Sequence, residues 1–124
     1  HLVLATLHTP DAPQTVDRII DVFPTEQQRQ IRVQLASVLI SVLSQRLVPR
    51  LDGRGRAMAL EILINTPAVA NLIRQEKIYQ IKSVIQTNRQ IGMQTMVSSL
   101  KQLVEEGIIH RDAIKEYEMT IGED

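Results

Sequence analysis

Three histidines, His1, His8 and His110, are the side chains in this 124-residue chain best suited to acid–base work or metal ligation, and there is no cysteine to share either task. Their spacing argues against a metal. If the apolar run that carries His1 and His8 is extended, the two rings stand roughly 23 Å apart along it, and no His/Asp/Glu cluster with ligand spacing occurs elsewhere. No metal site is expected. Nucleophile chemistry fares no better, since no serine sits in a nucleophile elbow and no thiol is available. Gly53 and Gly55 do not make a phosphate cradle, because no Gly-x-x-x-x-Gly-Lys-Ser/Thr occurs in the chain; turn chemistry accounts for both. His110 follows a helix and reads as an exposed surface histidine. For His8, between Leu7 and Thr9, the residues alone favour a hydrogen-bonded histidine at a strand end, with a ligand-contacting role left open.

The element that must position His8 is the opening run, His1-Leu2-Val3-Leu4-Ala5-Thr6-Leu7-His8-Thr9. A short continuous apolar stretch closed by polar residues reads as a strand covered on both faces, of the kind found in parallel sheets. Ligands of such sheets lie beyond the carboxyl ends of the strands, which makes Thr6, His8 and Thr9 the first candidates. Too few parallel strands follow to cover it, so the chain is expected to be the tail half of something larger.

Downstream, Asp11 is placed to cap a helix whose inner face is Val16, Ile19, Ile20 and Phe23. Pro24 ends it, and Thr25 with Gln28 reads as a capping box for a second helix with Ile31, Leu35, Val38, Leu39 and Val42 inward. Ser44–Pro49, the turn Asp52-Gly53-Arg54-Gly55 and Arg56–Ile64 then read as an antiparallel hairpin. Its second arm is apolar apart from Glu61 and is expected to be mostly buried. Thr66-Pro67 opens a helix, Thr66 as cap and Pro67 at the first position, with Val69, Leu72 and Ile73 inward. Further helices span Ile78–Thr87, a segment with Met93, Met96, Leu100, Leu103 and Val104 that ends at Gly107, and Asp112–Glu118, with Asp112 as cap. The methionines fit core filler better than a partner-binding stripe. Thr120 to Asp124 are expected to fray.

Composition bounds the function class. Lys plus Arg and Asp plus Glu are both 14, giving zero net charge, and no basic block appears, which excludes a general nucleic-acid or anionic-membrane binder. Phe23, Tyr79 and Tyr117 are the whole aromatic set, too few for a base-stacking platform. No apolar run approaches the ~20 residues of a membrane span. A soluble cytoplasmic chain is expected, with no nucleic-acid partner and no membrane insertion.

The joint pattern also carries a resemblance. His1–Thr9 followed by Asp11-Ala12 resembles the histidine box of the secretion and pilus ATPases. Asp17–Pro24, Gln30-Ile31-Arg32, Gln34-Leu35-Ala36, Gln45 with Leu47 and Pro49-Arg50, Gly53 with Gly55-Arg56, Glu61-Ile62-Leu63 and Gly92–Met96 are similar to the type IV pilus retraction, or twitching-motility, ATPases. The similarity runs from residue 1 to about 116. The absence of cysteine fits that branch, since related assembly and secretion ATPases commonly carry a four-cysteine zinc element here.

The resemblance implies an α/β fold, the C-terminal part of a P-loop (RecA-like) ATPase domain with one parallel-type strand, an antiparallel hairpin and a mostly helical C-terminal subdomain. Residues 1–64 would end the ATPase core and residues 65–124 form the helical subdomain. It implies that His8 approaches the γ-phosphate end of a nucleotide, that Thr6 and Thr9 accompany it, and that His1 has a structural or interface role. ATP and Mg2+ are then cofactors of a parent protein, a homo-hexamer working on an inner-membrane pilus platform protein at the cytoplasmic base of the pilus machine. The family's retraction motif, Ala-Ile-Arg-Asn-Leu-Ile-Arg-Glu, reads here Ala68-Val69-Ala70-Asn71-Leu72-Ile73-Arg74-Gln75. Ala68, Asn71, Leu72, Ile73 and Arg74 are kept. Ala70 and Gln75 depart, as does Ser41, where the family usually has glycine. The phosphate-binding loop, the Walker B acid and the acidic box are missing, so this segment alone is expected not to bind or hydrolyse ATP. The alternatives are a non-enzymatic interaction module derived from such an ATPase, or a fragment of a type II/IV secretion traffic ATPase.

Overall fold

The computed structural model describes residues 1–122. Its centre is an antiparallel hairpin of β1 (Ser41–Pro49) and β2 (Arg56–Ile64), in register from Ser41 opposite Ile64 to Pro49 opposite Arg56. The turn forms where expected. The Asp52 carboxylate accepts from the Arg54 amide at 2.9 Å and from the Arg50 guanidinium at 3.0 Å, and Gly53 and Gly55 take φ of 71° and 96°, which side-chain-bearing residues resist.

Before the hairpin lie α1 (Ala12–Asp21) and α2 (Thr25–Val38); after it lie α3 (Pro67–Arg74), α4 (Ile81–Gln86), α5 (Met96–Glu105) and α6 (Asp112–Gly122). Local chemistry explains most of these limits. Asp11 caps α1 through the Gln14 amide at 2.9 Å, Thr66 caps α3 through Val69, and Thr95 caps α5 through Ser98 at 3.1 Å. Short 3-10 turns at Ile78–Gln80 and Arg89–Ile91 flank α4, and Gly92, at φ 103°, reverses the chain toward α5.

One face of the hairpin is buried by alternation, through Val42, Ser44 and Val48 on β1 and Ala57, Ala59, Glu61 and Leu63 on β2. Two apolar cores meet on it. Val42 and Leu63 join Ala12, Val16, Ile20, Val69, Ile73, Ile81 and Ile85; Val48, Ala57 and Ala59 join Met96, Leu100, Ile109 and Tyr117. The methionines Met93 and Met96 are 1 % exposed and serve as core, as expected.

Several expectations are corrected. His1–Thr9 forms no strand, and the described sheet has two strands only. A strand is stabilised by pairing its N–H and C=O groups with a neighbour, and none lies alongside this run; Leu4 is accordingly 88 % exposed instead of buried. The capping box at Thr25 does not form, because the helix begins one residue earlier than a Thr25 cap would allow: Pro24 is the N-cap, and Gln28 turns back to the Phe23 carbonyl at 3.0 Å. Phe23 and Val38 are exposed, so the inward faces of α1 and α2 are narrower than their patterns suggest. On β2 it is Glu61 that is fully buried, while Met58 is half exposed. Helix α6 includes Thr120 and Ile121, beyond the Glu118 at which the sequence pattern placed its end; residues 123 and 124 lie outside the described residues.

Candidate functional site

Thr6, His8 and Thr9 share a groove of about 610 Å³ between the opening segment, Leu39 and the first half of β1, Ser41 to Gln45. Its polar lining is mainly hydroxyls and one imidazole. Thr9 leads into the Pro10–Ala12 turn, and its Oγ1 hydrogen-bonds the Thr15 hydroxyl of α1. Thr15 in turn donates to the Asp11 carbonyl at 2.9 Å. These bonds fix the end of the segment to the first turn of α1, leaving His8 exposed just before the fixed point. His1 is exposed and lies outside the groove lining.

Among the described residues, no lysine or arginine lines this groove. Its residues can hydrogen-bond one end of an anionic ligand but cannot neutralise several phosphate charges. Among the described residues, no cluster of three or more His, Asp or Glu side chains is arranged to hold a metal ion. Ser44 is the unexpected member of the lining: it is 6 % exposed and its hydroxyl has no hydrogen-bond partner among the described residues.

The residues of the retraction-motif resemblance lie on α3. Val69, Ala70 and Ile73 face the core, Leu72 packs against it, and Ala68, Asn71 and Arg74 are exposed. The Arg74 guanidinium donates to the Asn71 side-chain oxygen at 2.9 Å, so the two polar residues form one surface feature. The two residue sets share no hydrogen bond or groove among the described residues. Ala70, which stands where the resembled motif has arginine, is buried against the first core.

Sequence reasoning missed Glu61. It sits on β2 between Ala59, which belongs to one core, and Leu63, which belongs to the other. Its Oε2 accepts from the Ala12 amide at 2.7 Å and its Oε1 from the Met96 amide at 3.1 Å, so one carboxylate satisfies the first amides of both α1 and α5. Helix N-termini attract negative charge. Burial nonetheless pushes the Glu61 carboxyl above the usual carboxylate range. The two amides and Lys82 oppose that rise, and the Asp11 charge adds to it. The only hint in the sequence was a lone acid in an otherwise apolar strand.

No protein-family model matches the chain. The chain is 51 % identical, over 93 % of its length, to a twitching motility protein of Neisseria gonorrhoeae, and 48 % identical, over 94 %, to the type IV pilus retraction ATPase PilT of Pseudomonas aeruginosa. It spans about a third of the length of these relatives, 31 % and 33 %. Its structure superposes on the crystal structure of the pilus retraction motor PilT with bound ADP at a TM-score of 0.83 and 42 % identity, covering 94 % of this chain and 32 % of that one. Apart from the unpaired opening run, the expected hairpin and helical tail therefore match the fold of part of that motor.

Proposed function

We propose that this chain is the part, from the histidine box onward, of a hexameric ATPase that powers type IV pilus retraction. The observation that carries the reading is the superposition of nearly the whole chain on a retraction motor bound to ADP. In this reading residues 1–64 close a RecA-like core and residues 65–124 form the helical subdomain with the retraction motif. Mg2+ and ATP belong to the whole protein, the metal supplying charge neutralisation at the phosphates. The platform protein of the pilus machine at the cytoplasmic face of the inner membrane is the proposed partner. No described helix is long and apolar enough to cross a membrane.

This chain's own residues supply a narrow part of the chemistry. An exposed His8 held just ahead of a fixed turn can donate a hydrogen bond to a terminal phosphate oxygen, with Thr6 as a further hydroxyl donor, while the Thr9 hydroxyl proton is engaged by Thr15 and Thr9 serves to hold the segment's end. The groove brings no cation of its own, so the phosphate-binding loop and its lysine must come from residues outside this sequence. His1 is assigned an interface or structural role.

Three measurements test the reading. Residues 1–124 alone are expected to show no ATP binding by calorimetry, and a micromolar dissociation constant would contradict the division of labour. In the full-length protein, His8→Ala should lower ATP hydrolysis by about 100-fold, the scale of a lost positioning or proton-transfer group; wild-type turnover would remove His8 from the site. Replacing Leu72 and Arg74 by alanine should abolish twitching while ATPase activity persists, whereas parallel loss of both would reduce α3 to scaffold.

A further inference from the structure

Three parts of the C-terminal half converge on one short turn. The Tyr117 hydroxyl of α6 donates to the Pro10 carbonyl at 3.4 Å, and the Lys82 ammonium of α4 lies 3.5 Å from the Asp11 carboxylate. Glu61 joins the Ala12 amide of α1 to the Met96 amide of α5. The turn they grip, Pro10–Ala12, begins two residues after His8.

We propose that the Pro10–Ala12 turn is a joint through which the histidine-bearing segment sets the position of the C-terminal helices, with Glu61 as its positioning residue. This rests on the reading that His8 meets a nucleotide. Glu61 is suited to the task because it cannot yield quietly. It is 0 % exposed, and the two residues whose amides it holds, Ala12 and Met96, are 0 % and 1 % exposed, so neither amide can exchange the carboxylate for water without opening the core. Its backbone is fixed by the hairpin register opposite Ser44, and Ala59 and Leu63 on the same face are embedded in separate cores. A displacement of Ala12 must therefore drag Glu61, and with it the start of α5, or break a buried hydrogen bond. Asp11 and Lys82 add a second tie at the same turn, and Tyr117 a third. A close-packed interior favours discrete rearrangement over gradual yielding.

The test is hydrogen–deuterium exchange of α5 and α6 in the full-length protein, with and without saturating ADP, in wild type and in Glu61→Gln. Glutamine keeps one acceptor oxygen and presents an N–H to the other amide, so one of the two bonds is lost with little change in shape. The expected result is ADP affinity close to wild type, with the ADP-induced change in α5 exchange reduced about fivefold or more. A role confined to stability would raise exchange in both states and leave the ADP-induced change intact, and that result overturns the proposal. So does a wild-type protein that binds ADP with no response in α5 or α6. If wild type binds no ADP, the functional reading itself fails and takes the joint with it. If Glu61→Gln does not fold, Lys82→Met combined with Tyr117→Phe removes the other two ties. It is expected to reduce the same ADP-induced change, and an unaltered change again overturns the proposal.

Discussion

Two buried polar side chains face each other across the hairpin, and their opposite situations give opposite expectations. Glu61 has both oxygens engaged by buried amides. Glu61→Leu orphans those amides and should lower unfolding free energy by about 3 kcal/mol, measured by chemical denaturation. Ser44, its cross-strand partner, has a buried hydroxyl with no hydrogen-bond partner among the described residues. Ser44→Ala removes an unmet polar group and should be neutral or stabilising by up to about 1 kcal/mol. The raised pKa of Glu61 also sets a sign for pH. In the folded chain the carboxyl holds its proton above the ordinary value, so its favourable contribution is complete below that value and is lost as pH rises through the raised one. The stability of wild type relative to Glu61→Gln should therefore decline as pH is taken upward from about 4.5, and a difference that grows over that interval would contradict the burial cause. None of this was legible beforehand, since the partners of Glu61 lie 49 and 35 residues away and are backbone groups, which no pattern of side-chain types reveals.

Elements whose cause is local were legible, and those that depend on a neighbour were not. The hairpin followed from Asp52-Gly53 between two apolar arms, and α3 from Thr66-Pro67, because cap and turn chemistry act over three or four residues. Thr66→Ala should accordingly cost about 1 kcal/mol in thermal unfolding. The opening run has the composition of a buried strand but no partner within the described sheet, and composition alone does not supply the pairing a strand needs. Thr6, His8 and Thr9 at its polar end do line one groove. The Thr25 box failed for a different reason: Pro24 already supplies a φ of −56° suited to starting a helix, and the hydroxyl cap became unnecessary.

For the molecule as a whole, the two edges of the hairpin differ. The edge of β2 is closed without a strand: Ile62 and Gln94 exchange backbone hydrogen bonds at 2.8 and 3.2 Å, the Gln94 side chain reaches the Leu60 carbonyl, and the Ser99 hydroxyl accepts from the Leu60 amide. Among the described residues no strand pairs with the outer edge of β1, and Leu43 and Leu47 on that strand are 63 % and 41 % exposed. An open edge with apolar side chains is a template onto which another extended chain can add. For handling residues 1–124 in isolation, the consequence is colloidal: light scattering should report self-association that rises with concentration, and Leu43→Lys should suppress it while leaving the melting temperature nearly unchanged.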